Sequence, residues 1–162
     1  MVNAIVIDVD GTLTDGRIYL NETGEEFKVF STYDGYAIKD ILPQYGIIPI
    51  VISARNSVIV NKRCEELNIK YCYQGCNDKT LILREIANKL CLPCGADGIF
   101  YKIAYIGDDL ADFLSMKLCG IVGCPSNAVK EIKEILNYIT HKSGGDGAVR
   151  EFINWLVSQR EI

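Results

Sequence analysis

A four-residue apolar run, AIVI at positions 4–7, breaks off without transition into DVDGT. Unbroken apolar residues with no polar alternation mark a strand covered on both faces, which is how parallel sheets are built. The sudden change to acid and glycine marks the C-terminal end of such a strand, where it hands over to a loop. The same event recurs where 47–52 (IIPIVI) runs into Ser53 and where 103–106 (IAYI) runs into Gly107-Asp108-Asp109. Helix-period segments lie between these runs. Helices are expected at 36–45 with Gly46 as the stop, at 57–67 with Val58, Val60, Cys64 and Leu67 on or near one face, and at 80–90, 110–118, 127–137 and 149–159. Further short strands are expected at 69–73, 120–122 and 138–139, and a loop at 91–102. Segment 17–30 (RIYLNETGEEFKVF) reads as a hairpin, two β-prone arms flanking Asn21-Glu22-Thr23-Gly24. Strands alternating with helices through short links define an α/β fold: a Rossmann-like, mostly parallel sheet with helices on both faces. Pro49 is the awkward residue, since proline is out of place in a central strand.

The chain's 162 residues fit one domain, spanning 1–162, with the hairpin and a tail from about 141 as parts of it. Hydrophobic residues at 49% and charged residues at 23% exclude a disordered chain. A net charge of −4 without a Lys/Arg block argues against nucleic acid as a partner. No apolar run reaches the roughly 18 residues of a membrane span, and no signal peptide is expected ahead of the first strand. Seven cysteines, an odd number in a chain large enough to fold without bridges, point to free thiols in the cytoplasm. Cys91 and Cys94 form a CxxC with no second pair to complete a zinc site, so an ordinary loop is expected there. His141, the single histidine, reads as a loop residue, and Phe152 and Trp155 as packing residues of the last helix.

Ligands of open α/β sheets bind at the C-terminal ends of the strands. That edge collects Asp8 and Asp10 after the first strand, Ser53 after the second long run, Lys79 at a helix start, and Asp108, Asp109 and Asp112 after IAYI. Five carboxylates at one edge repel one another unless a cation sits among them, and an oxygen-only donor set suits Mg²⁺ rather than zinc. Residues i and i+2 of an extended segment share a face, so Asp8 and Asp10 can address one reacting group. Gly11 permits a sharp turn, after which the backbone amides of Gly11 and Thr12 can hold phosphate oxygens. One aspartate as nucleophile and the other as acid/base would give phosphoryl transfer through an aspartyl-phosphate, with Mg²⁺ and Lys79 neutralising the phosphoryl oxygens. A receiver domain, which accepts phosphate on Asp without being an enzyme, would need its acceptor at the end of the third strand. That place reads Tyr71-Cys72-Tyr73-Gln74-Gly75.

DVDGTLTDG resembles the first motif, DxDGT, of the haloacid dehalogenase superfamily of phosphatases. IVISAR resembles the second motif, Lys79 matches the third, and GDDLAD at 107–112 resembles the fourth. The resemblance runs in order over essentially the whole chain. It implies Asp8 as nucleophile, Asp10 as general acid/base and main-chain ligand of Mg²⁺, Ser53 as a phosphoryl-binding hydroxyl, and Asp8 and Asp108 as metal ligands. Asp109 and Asp112 would stand behind them as structural partners. Neither the stretch from Asp10 to Ser53 nor that from Ser53 to Lys79 is long enough for a cap domain. The chain is therefore similar to the capless group of 3-deoxy-D-manno-octulosonate 8-phosphate phosphatases, which also carry TDG, a TGEE hairpin, YDG, GxxDK and GGDGAVRE. That resemblance implies a keto-sugar acid phosphate as substrate, Arg55 facing its carboxylate, and a homotetramer with shared active sites. In it the hairpin acts as a flap, and the glycine-rich tail, with Gly145 and Arg150, reaches a neighbour's substrate. Nine-carbon sugar acid 9-phosphates, or a non-catalytic assembly role like that of a domain fused to sialate cytidylyltransferases, are the alternatives within the same group.

Overall fold

A computed structural model describes residues 1–159, the side chains at 25 and 26 excepted. The chain runs β1 (Ala4–Ile7), β2 (Tyr19–Asn21), β3 (Gly24–Phe27), α1 (Thr32–Tyr36), β4 (Ile48–Ile52), α2 (Val58–Glu66), β5 (Tyr71–Tyr73) and α3 (Lys79–Lys89). It continues as β6 (Phe100–Ile106), α4 (Leu110–Met116), β7 (Cys119–Cys124), α5 (Lys130–Lys133), β8 (Tyr138–Ile139) and α6 (Ala148–Ser158). A six-stranded sheet takes the order β5-β4-β1-β6-β7-β8, with parallel pairing throughout. β2 and β3 form the expected antiparallel hairpin, separate from it. No cap domain interrupts the described residues.

The apolar runs serve two cores at once. Ile5, Ile7, Val51, Ala104 and Ile106 face a layer that includes Ile38, Val60, Cys64, Phe152, Ile153 and Leu156. Ala4, Val6, Ile50, Ile52, Ile103 and Tyr105 face the opposite layer, with Leu83, Ile86, Met116 and Ile132. Each strand thus alternates faces as a pleated strand must, yet both faces are apolar because helices cover both.

Several boundaries differ from the sequence reading, each for a local reason. The helix expected at 36–45 starts at Thr32, because Ser31 caps it by accepting the Tyr33 N–H at 3.2 Å. It continues through a wider turn at Ala37–Ile41 and a tighter one at Leu42–Tyr45. Val58 and Leu81 are exposed, while Val60, Cys64, Leu83, Ile86 and Ala87 carry the burial. Of the helix expected at 127–137 only Lys130–Lys133 forms. Asn137 is drawn off to β7, donating its N–H to Val122 O at 2.9 Å and accepting the Val122 N–H on Oδ1 at 2.8 Å. Pro49 is accommodated because β5 pairs with β4 only from Ile50 onward. Ile48 N–H points to β1 and Ser53 N–H to β5, so the N–H that Pro49 lacks would face the flank with no partner. The tail beyond 159 lies outside the described residues.

Gly147 precedes α6 and offers no side chain to cap it. Asp34, 1% exposed, supplies the cap from α1: its Oδ1 accepts the Arg150 N–H at 2.8 Å, while Oδ2 has no hydrogen-bond partner. Burial pushes this carboxyl from 3.8 up to about 6, against the pull of the Arg150 and Gly147 N–H groups. The folded protein therefore binds this proton more tightly than the unfolded chain does. Asp34's contribution is largest below pH 4 and declines as pH rises to about 6, a loss of about 3 kcal/mol. Asp34→Asn is expected to remove that decline, so urea titrations of parent and variant between pH 4 and 7 should show the variant gaining stability relative to the parent as pH rises.

Candidate active site

Strand order reverses direction beside β1: the chain moves outward through β4 and β5, then returns to β6 on the other side. Such a switch point opens a crevice at the C-terminal edge. Asp8 sits there, its N–H extending the ladder to Ile106 O at 3.1 Å. The chain then makes one wide turn, closed by Thr14 N–H to Val9 O at 3.0 Å. Gly11 takes φ 100°, and a Cβ on it would lie 2.0 Å from the Asp108 carboxylate, so only glycine fits. Thr12 Oγ1 donates to Asp108 Oδ1 at 3.1 Å and ties the two acidic loops together. The glycine-rich segment supports this turn: Gly145 N–H donates to Thr12 O at 3.1 Å, and Gly144 packs directly against Gly11 O.

The charges are concentrated below that turn. Lys79 begins α3, whose cap Asp78 accepts the Thr80 N–H at 2.8 Å. Its buried ammonium lies 2.5 Å from Asp8 Oδ1 and 2.7 Å from Asp112 Oδ1, and Tyr105 OH donates to the same Asp112 oxygen at 2.7 Å. Oxygens of Asp8, Asp108 and Asp112 all lie within 4.8 Å of one another. Burial raises Asp8 well above the usual carboxylate range, reinforced by Asp112 and opposed by Lys79. Burial and Asp112 push Asp108 up to about 6, against the Thr12 hydroxyl. Burial pulls Lys79 down, but Asp8 and Asp112 outweigh it and hold the ammonium above its ordinary value. The cluster is all oxygen and short of positive charge, the donor set of a hard divalent cation. One oxygen of each carboxylate is already engaged: Asp112 Oδ1 by Lys79 and Tyr105, Asp8 Oδ1 by Lys79 and Asp108 Oδ1 by Thr12.

A pocket of about 130 Å³ is lined by Asp8, Asp10, Ser53, Ala54, Arg55, Lys79, Asp109, Ala111 and Asp112. Ser53 is held by its N–H to Tyr73 O at 2.9 Å and accepts the Arg55 N–H on Oγ at 3.3 Å. Asp109 caps α4 through the Leu110 N–H at 2.7 Å. Gly11, Thr12 and Asp108 adjoin the pocket through the contacts above. Gly145 supports the turn from outside the pocket. Arg150 lies apart within one chain, stacked over Tyr36 at 5.0 Å beside a separate cavity of about 580 Å³. Two residues escaped the sequence reading. Tyr105 looked like strand filler, although a buried phenol needs a partner. Lys28 reaches Asp10 Oδ1 at 2.5 Å, and its one sequence signal is that no other cation stands between Arg17 and Lys39.

A capless α/β sheet with this acid–lysine cluster at its switch point defines a hydrolase of the haloacid dehalogenase superfamily. A solved structure from Legionella pneumophila described as a member of that superfamily, subfamily III A, matches with TM-score 0.89 and 32% identity over 99% of this chain and 84% of the other. More narrowly, the chain belongs to the 3-deoxy-D-manno-octulosonate 8-phosphate phosphatase family. It is 35% identical to the Salmonella typhi enzyme of that name over 156 residues, 96% of this chain and 79% of the relative. It also matches the Moraxella catarrhalis phosphatase, solved with magnesium ion, phosphate ion and KDO, with TM-score 0.88 and 36% identity over 97% of this chain and 86% of that one. No family model matches the chain.

Gly11→Ala is expected to abolish activity and to destabilise the fold by about 2 kcal/mol, because the added methyl must displace the half-buried Asp108 carboxylate. Chemical denaturation monitored alongside turnover checks both.

Proposed function

We propose that this chain is a Mg²⁺-dependent phosphomonoesterase that hydrolyses 3-deoxy-D-manno-octulosonate 8-phosphate to the free sugar acid and phosphate. The observation that carries this reading is the buried Lys79 ammonium shared by Asp8 and Asp112, with Asp10 and Ser53 on the same small pocket. Asp8 attacks phosphorus, the bond from phosphorus to the sugar oxygen breaks, and Asp10 gives that oxygen a proton. Asp10 then takes a proton from water as the water oxygen attacks the aspartyl-phosphate, and phosphate leaves with Asp8 restored. The Ser53 hydroxyl and the Thr12 amide hold the phosphoryl oxygens, and Lys79 balances their charge; the Gly11 N–H is already given to Thr14 Oγ1 at 3.3 Å. Asp8, Asp108 and the Asp10 carbonyl would hold Mg²⁺, which when bound supplies further positive charge to the phosphoryl group. Arg55, on the pocket wall, is placed to meet the sugar acid's carboxylate. Asp109 and Asp112 serve from behind as helix cap and as partner of Lys79. The seven free cysteines are in keeping with work in the cytoplasm.

The test is a panel of eight- and nine-carbon sugar acid phosphates assayed side by side. Turnover should be highest on the eight-carbon ester, vanish with EDTA and return with Mg²⁺. Asp8→Asn should lose all but a trace of it with the fold intact; activity within tenfold of the parent would exclude Asp8 as nucleophile.

The same reading includes a homotetramer with shared active sites. Within the hairpin, Tyr19 stacks on Phe27 at 4.4 Å and Phe30 packs on the core, yet Leu20, Phe27 and Val29 remain 63%, 44% and 55% exposed. A lone two-stranded hairpin is marginally stable in water, and neighbouring hairpins would bury that surface over the open pocket. Arg150 would then act from the tail toward a neighbour's substrate, whereas Gly145, expected to do the same, is instead held under its own chain's turn by the bond to Thr12 O. Polar replacements at Leu20 and Phe27 are expected to lower assembly and activity together, and a fully active monomer in sedimentation at assay concentration would exclude pocket sharing.

A further inference from the structure

Asp10 is met from the hairpin side. Lys28 directly follows β3, and its neighbours Phe27 and Val29 are 44% and 55% exposed. Its own side chain is 1% exposed and runs inward to place Nζ 2.5 Å from Asp10 Oδ1. Burying an ammonium is costly unless a counter-charge receives it, so this side chain is committed to the site rather than lying on the surface. The other buried ammonium here, that of Lys79, is taken up by Asp8 and Asp112. Among the described residues, Lys28 is therefore the cation that meets the Asp10 carboxylate.

An acid/base residue works only while its oxygen stands within hydrogen-bond reach of the atom it protonates. A misplacement of about 1 Å can cost about 100-fold in rate. Asp10 itself has extended backbone angles, φ −79° and ψ 108°, ahead of the Gly11 turn. We infer that Lys28 is a positioning residue for Asp10: it holds one carboxylate oxygen so that the other faces the leaving group. The placement of the hairpin thereby becomes part of the chemistry as well as of the pocket wall. The inference rests on the acid/base role of Asp10 proposed above.

The experiment compares Lys28→Met, Lys28→Gln and Lys28→Arg with Asp10→Asn in the full-length protein at saturating Mg²⁺. Two substrates are used: the sugar acid 8-phosphate, whose alkoxide leaving group needs a proton, and 4-nitrophenyl phosphate, whose leaving group needs little. Asp10→Asn should lose about 100-fold or more in kcat on the sugar ester and far less on the aryl ester. Lys28→Met should show the same skew, about 30-fold against about 3-fold, with KM on the sugar ester changed less than about twofold. Lys28→Arg should recover most of the loss, and Lys28→Gln carries the comparison if the methionine variant does not fold. An equal fall on both substrates would mean that Lys28 only supports the hairpin, and a change confined to KM would make it a substrate contact; either overturns the inference. If Asp10→Asn itself shows no skew, the acid/base assignment fails and the inference falls with it. If Asp10→Asn is skewed and the Lys28 variants are not, the inference alone fails.

Discussion

The ammonium of Lys79 joins at one point three elements that already share a hydrophobic core. It belongs to the first residue of α3, touches Asp8 at the end of β1 and Asp112 in the first turn of α4, and through Asp112 reaches the Tyr105 hydroxyl on β6. Each of these groups would be costly to bury alone. Together, each supplies the partner that another lacks. The position of Asp8 is thus a property of the sheet and of the helices on one of its faces, rather than of a flexible loop.

The other face does different work. α1 and α6 pack on it, and from their side the Gly144-Gly145 backbone supports the turn at Gly11–Thr12. Asp34 fixes α6 to α1, and Glu151 ties the segment before α6 to it. Although burial acts to raise Glu151, bonds from the His141 backbone and ring, the Lys142 N–H and the Tyr138 hydroxyl bring it down to about 2. One layer therefore places charge and the other shapes the backbone turn that follows Asp8. The crevice lies where the two meet, at the reversal of strand order.

Much of this was legible in the residues. Runs such as AIVI and IAYI announce strands covered on both faces, and the acids that end them mark the sheet edge that carries the chemistry. What was not legible depends on contacts that no local pattern encodes. Lys28 and Asp10 are 18 positions apart and meet only because the hairpin folds back over the first turn. Tyr105 looks like any strand aromatic until Asp112 is found beneath it. The helix at 127–137 is cut short because Asn137 bonds better to β7 than to a further helical turn. The helix expected from 36 begins earlier, and Gly35 lies inside it at a place where a Cβ would stand 2.5 Å from the Arg63 guanidinium.

The contact between Gly145 and Thr12 also sets an order of events, because it joins two segments that lie far apart along the chain. Contacts of high sequence separation are slow to close. β1 can pair with β4 and β6 while the turn after Asp8 is still without the floor that Gly144 and Gly145 give it. The sheet can therefore stand before the turn at its edge is set, and the docking of α6 completes both the core and that turn together.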